Sequence, residues 1–144
     1  MKKLFLFGLL LSSCFGERVY RNITIINKSN SYIVDIFGSD TIGSNELIYR
    51  IIKNKSLAYN ISTFYPTSPK SKGYICAMGN WKVERKNDTT LVYLYLVNLN
   101  IIDSLNKIDI DTLTIKRLAT TIIKTSCAQL NKEKWEVTYK YSAH

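Results

Sequence analysis

The side chains that could carry out acid–base chemistry or bind a metal are few and widely spaced in this 144-residue chain. The only histidine, His144, is the last residue, so a histidine-based triad or zinc site would have to form at a frayed terminus. Asp103, Asp109 and Asp111 could offer oxygen ligands to Ca²⁺, but no glycine-bearing loop supports them, and we expect a solvated acidic patch. No spacing indicates a carboxylate pair for glycoside hydrolysis. The sequence predicts no catalytic residue, no metal site and no cofactor.

The first sixteen residues have the pattern of an export signal. Lys2 and Lys3 precede an eight-residue apolar stretch, Leu4–Leu11, which is followed by small residues. As a helix this stretch would rise about 12 Å, far short of the hydrocarbon core of about 30 Å, so it is too short to form a transmembrane span. We expect the leader to be removed and the mature chain to span no membrane.

Cys14 follows Leu11, Ser12 and Ser13 directly. A branched apolar residue, two small residues and a cysteine resemble the lipobox of bacterial lipoproteins. The resemblance implies that Cys14 is acylated and becomes the N-terminus. More than one acyl chain on a protein gives lasting membrane attachment.

The domain boundaries follow from this resemblance. Residues 1–13 form the signal peptide, residues 14–21 a tether and residues 22–144 a single β-rich domain. The alternative is a simple signal peptide over residues 1–16, with Cys14 discarded and the protein secreted.

Cys76 and Cys127 remain once Cys14 is assigned to the lipid. An even pair of cysteines in an oxidising compartment is compatible with a disulfide bond. Closing a loop of about 50 residues would stabilise the fold by roughly 4 kcal/mol on a chain-entropy argument. Two buried free thiols are the equally weighted alternative.

Several aspartates are followed by Ser or Thr and then by an apolar residue or Thr. This pattern is similar to the O-glycosylation acceptor pattern of exported Bacteroidetes proteins. The acceptor hydroxyls that it implies are those of Thr41, Thr89, Ser104 and Thr112.

The C-terminal third resembles a type of short Bacteroidetes lipoprotein. The matching residues are the Asp-Thr strand at 88–95, the Lys-Arg pair within Ile115–Leu118, Leu130, and the Trp-x-hydrophobic-Thr-Tyr run at Trp135–Tyr139. An Arg-Tyr-Asp-Leu run that usually follows the Lys-Arg pair is absent. The resemblance implies no particular activity.

Five N-glycosylation sequons would matter if the chain came from a eukaryotic or viral secreted glycoprotein. A chain rich in Asn, Ile and Lys generates such triplets readily, so we weight them less. Their asparagines are Asn22, Asn27, Asn54, Asn60 and Asn87.

The net charge of +9 favours anionic surfaces, and export places nucleic acid out of reach. Basic residues near predicted turns, together with nearby aromatic residues, could form a binding rim. Lysines scattered over the surface for solubility are the simpler alternative and the one we favour. The rim would consist of Tyr65, Lys70, Lys72, Tyr74, Trp81 and Lys82.

Period-two alternation and a high content of Ile, Thr and Tyr predict mostly strands. We predict strands over 21–27 and 32–37 joined as a hairpin, and over 47–52, 57–64, 74–78, 81–86, 91–97, 113–118 and 135–141. One short helix is expected within 122–130. The predicted fold class is mostly β, an antiparallel β-sandwich with one short helix near the C-terminus.

These observations predict a membrane-tethered lipoprotein of the cell envelope that is not an enzyme and binds a protein or glycan partner. The lipid on Cys14 would attach it to the outer membrane or to a periplasm-facing membrane surface. An immunity-type lipoprotein that neutralises an antibacterial toxin is one alternative. A secreted viral or eukaryotic glycoprotein that binds a host ligand is another.

Overall fold

The computed structural model describes residues 19–38, 41–54, 66–108 and 110–141. Within these residues the chain forms six strands and five helices. The strands are β1 (Val19–Asn27), β2 (Ile33–Gly38), β3 (Lys72–Met78), β4 (Leu91–Asn98), β5 (Thr120–Ser126) and β6 (Glu136–Tyr139). The helices are α1 (Thr41–Lys53), α2 (Trp81–Glu84), α3 (Leu99–Asn106), α4 (Thr112–Ala119) and α5 (Cys127–Lys132).

The strands form two sheets of three strands each. Sheet A has the order β3-β1-β6, in which β1 is antiparallel to β3 and parallel to β6. Sheet B has the order β2-β4-β5 and is antiparallel throughout. The predicted hairpin is wrong, because β1 and β2 lie in different sheets and residues 28–32 carry the chain from one sheet to the other.

Two apolar cores divide the molecule into three layers. The inner core lies between the two sheets, and the outer core lies between sheet B and helices α1, α3 and α4. Strand β4 serves both cores: Leu94 and Leu96 face sheet A, whereas Tyr95 and Val97 face the helices. This strand, which we predicted over 91–97, is therefore buried on both faces.

Helix α1 occupies residues for which we predicted a strand over 47–52. Ile48, Ile51 and Ile52 follow the i, i+3, i+4 spacing of one helix face, and all three are buried in the outer core. Tertiary packing therefore overrides the strand preference of isoleucine.

Helix α4 replaces the strand predicted over 113–118 for the same reason. Ile115 and Ala119, one turn apart, are buried in the outer core. The carboxylate of Asp111 caps the helix by accepting a 3.0 Å hydrogen bond from the backbone N–H of Thr114.

The fold class is therefore only partly as predicted. Two small sheets share a core, as in a sandwich, but one strand pair is parallel and five helices are present in the described residues. The strand predicted over 81–86 is also wrong, since α2 begins there. The strand predicted over 57–64 lies outside the described residues. Strand β1 begins at Val19, inside the segment 14–21 that we predicted to be a tether.

Candidate functional site

A groove of about 440 Å³ lies between helix α4 and strand β5. The side chains of Leu113 and Ile122 are 65% and 56% exposed there, so large apolar surfaces face solvent on both walls. Leu118, on the same helix, is also exposed. The lining residues are Leu113, Thr114, Lys116, Arg117, Thr120 and Ile122.

The groove exists because α4 packs inward on α1 and α3 rather than on β5. Side chains of β5 alternate: Ile123 and Thr125 face the inner core, so Ile122 and Lys124 face the helix layer. Because no helix of the described residues packs directly above Ile122, this side chain faces the groove.

Among the strands that the structure describes, β5 is the last one of sheet B on this side. Alternate residues of an edge strand direct their backbone N–H and C=O groups away from the sheet, where another strand can pair with them. The hydroxyl of Thr120 is buried beside this edge and has no hydrogen-bond partner in the described part of the molecule. Apolar side chains and backbone hydrogen-bonding groups are thus available together.

Cations surround the groove. Lys116 lies on the α1 side, with its Nζ atom 5.1 Å from the ring centroid of Tyr49. The exposed side chains of Arg117 and Lys124 form no ion pair with any residue that the structure describes. The groove therefore has apolar walls and positively charged residues around it.

A second cavity, of about 290 Å³, lies on the outer face of sheet A. Two residues of the predicted rim, Lys72 and Tyr74, line it, and Arg21 places its guanidinium carbon 4.7 Å from the ring centroid of Tyr74. We call it the Arg21 pocket. Its lining is completed by Pro66, Thr67, Ser68, Ser71, Gly73 and Cys76.

The remaining rim residues do not line this pocket. The Nζ atom of Lys70 donates a 2.6 Å hydrogen bond to the carbonyl of Lys28, and Lys82 is exposed on α2. The ring of Trp81 packs on Phe37, with centroids 5.0 Å apart, beside the inner core. Tyr65 lies outside the described residues. The structure thus joins only part of the predicted rim.

Residues near Trp81 form a small polar cluster. The Arg85 guanidinium carbon lies 5.4 Å from the Trp81 ring centroid, and its Nη2 atom lies 2.6 Å from Asp88. The backbone N–H of Thr90, with help from Arg85, lowers the pKa of Asp88 to about 2. This carboxylate is a structural anion rather than an acid–base group at neutral pH.

The two described cysteines are free thiols in the structure, which shows no bridge between them. Cys76 is exposed on the outer face of sheet A, whereas Cys127 is buried in the inner core at the start of α5. Burial raises the pKa of the Cys127 thiol. Cys14 lies outside the described residues.

The predicted glycosylation sites differ in their surroundings. The side-chain amides of Asn22 and Asn27 are buried and donate to backbone carbonyls, so a glycan has no room on either in this fold. Asn54 and Asn87 are exposed, and Asn60 lies outside the described residues. Of the predicted O-glycosylation residues, Thr41 and Thr112 begin helices, and Thr89 and Ser104 are exposed.

The acidic residues form no metal-binding group among the residues described. Asp111 caps α4, and Asp109 lies outside the described residues. Asp35 stands apart on β2, because burial raises its pKa to about 6. It faces the inner core between Ile33 and Phe37, where a carboxylate is poorly solvated.

Sequence reasoning missed Arg21 and the whole groove. The bulge at Asn22, which places Arg21 on the outer face, has no clear signal in sequence. The groove residues are ordinary members of apolar stretches until α4 is placed.

No helix in the described residues is long and apolar enough to cross a membrane. The chain matches no protein-family model, no curated protein and no solved structure.

Proposed function

We propose that this protein is an exported lipoprotein, tethered to the cell envelope through Cys14, which binds a partner protein without catalysing a reaction. The observation that carries the proposal is the groove between α4 and β5. It combines exposed apolar side chains, an open strand edge and a basic rim.

The occupant that fits this surface is an extended segment of the partner. Such a segment adds a strand to a sheet edge through main-chain hydrogen bonds, and its alternate side chains enter the adjoining pocket. Apolar residues at alternate positions would contact Leu113 and Ile122. Acidic residues between or beside them would complement Arg117 and Lys124.

The tether is consistent with this role. Five peptide units join Cys14 to Val19, where β1 begins, so an extended linker reaches at most about 18 Å. A protein held so close to the lipid would meet its partners at the surface of the envelope. Intact mass of the chain from an exporting host tests this part: a diacylglycerol-sized increment on Cys14 supports it, and an unmodified chain cut after Gly16 contradicts it.

The groove is tested with a displayed library of random peptides, selected on the full chain. We expect the selected peptides to alternate apolar residues and to carry acidic ones. The double variant L113Q/I122T should weaken their binding at least about tenfold, since it removes two apolar contacts.

A matched control separates this effect from a general loss of apolar surface. Val83 on α2 is 65% exposed and Leu91 on β4 is 48% exposed, so V83Q/L91T introduces the same two polar residues at exposed apolar positions elsewhere. It should bind like the unsubstituted chain. Peptides that bind both double variants equally would contradict the groove as the binding surface.

We rank the secreted-glycoprotein alternative second, because the side-chain amides of Asn22 and Asn27 are buried. A glycan on either nitrogen would replace hydrogen bonds to Gly79 or to Thr67 and Ser68. Mass increments at these two asparagines would reverse this ranking.

A further inference from the structure

The Arg21 pocket owes its charge to a local irregularity in β1. Residue pairing with β3 shifts between Arg21 and Ile23, so the extra residue, Asn22, forms a bulge. Asn22 and Ile23 are therefore both buried, and the side chain of Arg21 turns to the outer face. Without the bulge, period-two alternation would direct Arg21 to the core together with Ile23.

Asn22 is held firmly in this position. Its amide nitrogen donates to the carbonyls of Tyr20 and Gly79, each at 3.2 Å, and its oxygen accepts a 2.9 Å hydrogen bond from the N–H of Trp81. The bulge is thus fixed by three contacts, and the placement of Arg21 is fixed with it.

The cations of the pocket lack a counter-charge. Arg21 stacks on Tyr74 but forms no ion pair in the described part of the chain, and neither does Lys72. Glu136 shares the register row of Tyr74 and Thr24 but lies two strands away from Tyr74, a separation of about 10 Å. An anion that enters the pocket would therefore meet two unneutralised positive charges.

Hydroxyl groups complete the lining. Ser68 and Ser71 contribute theirs, and Ser71 Oγ already donates to the carbonyl of Ser68. Thr67 is only 4% exposed, and its Oγ1 has no hydrogen-bond partner among the described residues. This Oγ1 lies where a Cβ atom of Gly73 would point, on the core side of β3, so it does not face the pocket and we do not count it as a donor.

We propose that the Arg21 pocket binds a phosphate group. A guanidinium presents parallel N–H donors that suit phosphate oxygens, and Lys72 adds a point charge. Stacking on Tyr74 orients the guanidinium before the ligand arrives, which lowers the entropy lost on binding.

The tether favours a lipid headgroup as the source of this phosphate, a point that rests on the proposed lipidation of Cys14. Arg21 is seven residues from Cys14, whereas the helix layer lies on the opposite side of the molecule from the outer face of sheet A. Headgroup binding would hold sheet A against the membrane and leave the helix layer facing away from it.

Cys76 provides the test, because its exposed thiol lines the pocket while that of Cys127 is buried. The full chain, as processed by an exporting host, is treated with a maleimide, and the modification of each cysteine is followed by peptide mass spectrometry. Inorganic phosphate at about three times its Kd should slow the modification of Cys76 about fourfold, since about a quarter of the pockets stay empty. Chloride at equal ionic strength should not slow it.

The double variant R21Q/K72Q should lose this protection, with a slowing of less than about 1.2-fold. K132Q, which removes an exposed charge on α5, should keep it. For each variant, the rate of Cys76 modification without phosphate is divided by the rate with phosphate. A difference in thiol reactivity between variants therefore cancels in this ratio. Unchanged resistance of Cys127 to modification shows that each variant is folded.

Failure of phosphate to protect Cys76 in the unsubstituted chain overturns the pocket. The lipid arm uses the same readout on phosphatidylcholine vesicles with and without phosphatidylglycerol. Protection of Cys76 only on vesicles that contain phosphatidylglycerol supports a lipid headgroup as the source of the phosphate. Protection by soluble phosphate alone contradicts that source but still supports the pocket as a phosphate site. Neither of these two measurements involves the α4–β5 groove. A negative result here therefore contradicts the pocket and not the groove.

Discussion

Asn98 and Tyr139 join the two sheets through a 3.2 Å hydrogen bond from the side-chain amide of Asn98 to the tyrosine hydroxyl. Both side chains are buried. The Asn98 oxygen also caps α3 by accepting from the backbone N–H groups of Asn100 and Ile101, each at 3.1 Å. One asparagine therefore connects sheet B, sheet A and the helix layer.

Removing the Tyr139 hydroxyl should weaken this junction. The variant Y139F leaves the Asn98 amide buried without its tyrosine partner, and we expect the free energy of unfolding to fall by about 1–3 kcal/mol. Urea denaturation measures this difference. Y141F, at a tyrosine that is 51% exposed, is the control and should change stability by less than about 0.5 kcal/mol. Equal effects of the two variants would contradict a specific role for the Asn98–Tyr139 bond.

Asp35 should make the stability of the protein depend on pH. Burial raises its pKa from 3.8 to about 6, so the folded state holds this proton more tightly than the unfolded chain. This contribution to stability is therefore fully present below about pH 4 and is lost as the pH rises through about 6. At pH 8 the variant D35N should be more stable than the unsubstituted chain by about 1–3 kcal/mol, and this advantage should shrink at pH 4. An advantage that is the same at both pH values would show that Asp35 does not titrate in this range.

Gly73 lies where a side chain cannot fit. A Cβ atom at this position would come within 1.8 Å of the Thr67 Oγ1 and 2.9 Å of its Cβ. The variant G73A should lower the free energy of unfolding by about 1–3 kcal/mol, as overpacking does. T67A alone should cost little, because Oγ1 has no partner among the described residues. In the double variant we expect part of the G73A loss to be recovered, and additive effects would contradict the close approach.

Asn27 is a structural amide at the turn from sheet A to sheet B. Its nitrogen donates to the carbonyls of Ser31, Thr67 and Ser68, and its oxygen accepts from Ser29. N27D would place a carboxylate oxygen against these carbonyls, so we expect a loss of at least about 3 kcal/mol in denaturation experiments. N87D makes the same change at an exposed sequon and should be nearly neutral. A tolerated N27D would argue against this hydrogen-bonding network.

Sequence alone predicts the strands that bury only one face in a core, because apolar and polar residues alternate along them. In β6, Val137 and Tyr139 are buried while Glu136 and Thr138 are exposed, which is the period-two alternation from which the strand was predicted. The segments with Ile48 and Ile115 were mistaken for strands, because β-branched apolar residues fit a buried helix face as well as a strand. Only packing on sheet B decides between them, and that packing involves residues distant in sequence.

The candidate sites were predictable to a smaller extent. Lys72 and Tyr74 were identified from their charge and aromaticity near a turn. Arg21 was missed because its outward direction depends on the Asn22 bulge, which is fixed by contacts with Gly79 and Trp81. The groove depends on the distance between α4 and β5. The period-two or helical pattern within one segment does not determine this distance.

Hydrogen–deuterium exchange of the full chain, with and without a peptide selected on it, tests the proposed binding surface most directly. An added strand pairs with the free backbone groups of β5, so exchange should slow over Thr120–Ser126 and leave strands β3 and β6 at the edges of sheet A unchanged. Slowing confined to sheet A, with β5 exchanging as in the free protein, would contradict the groove as the site where the partner binds.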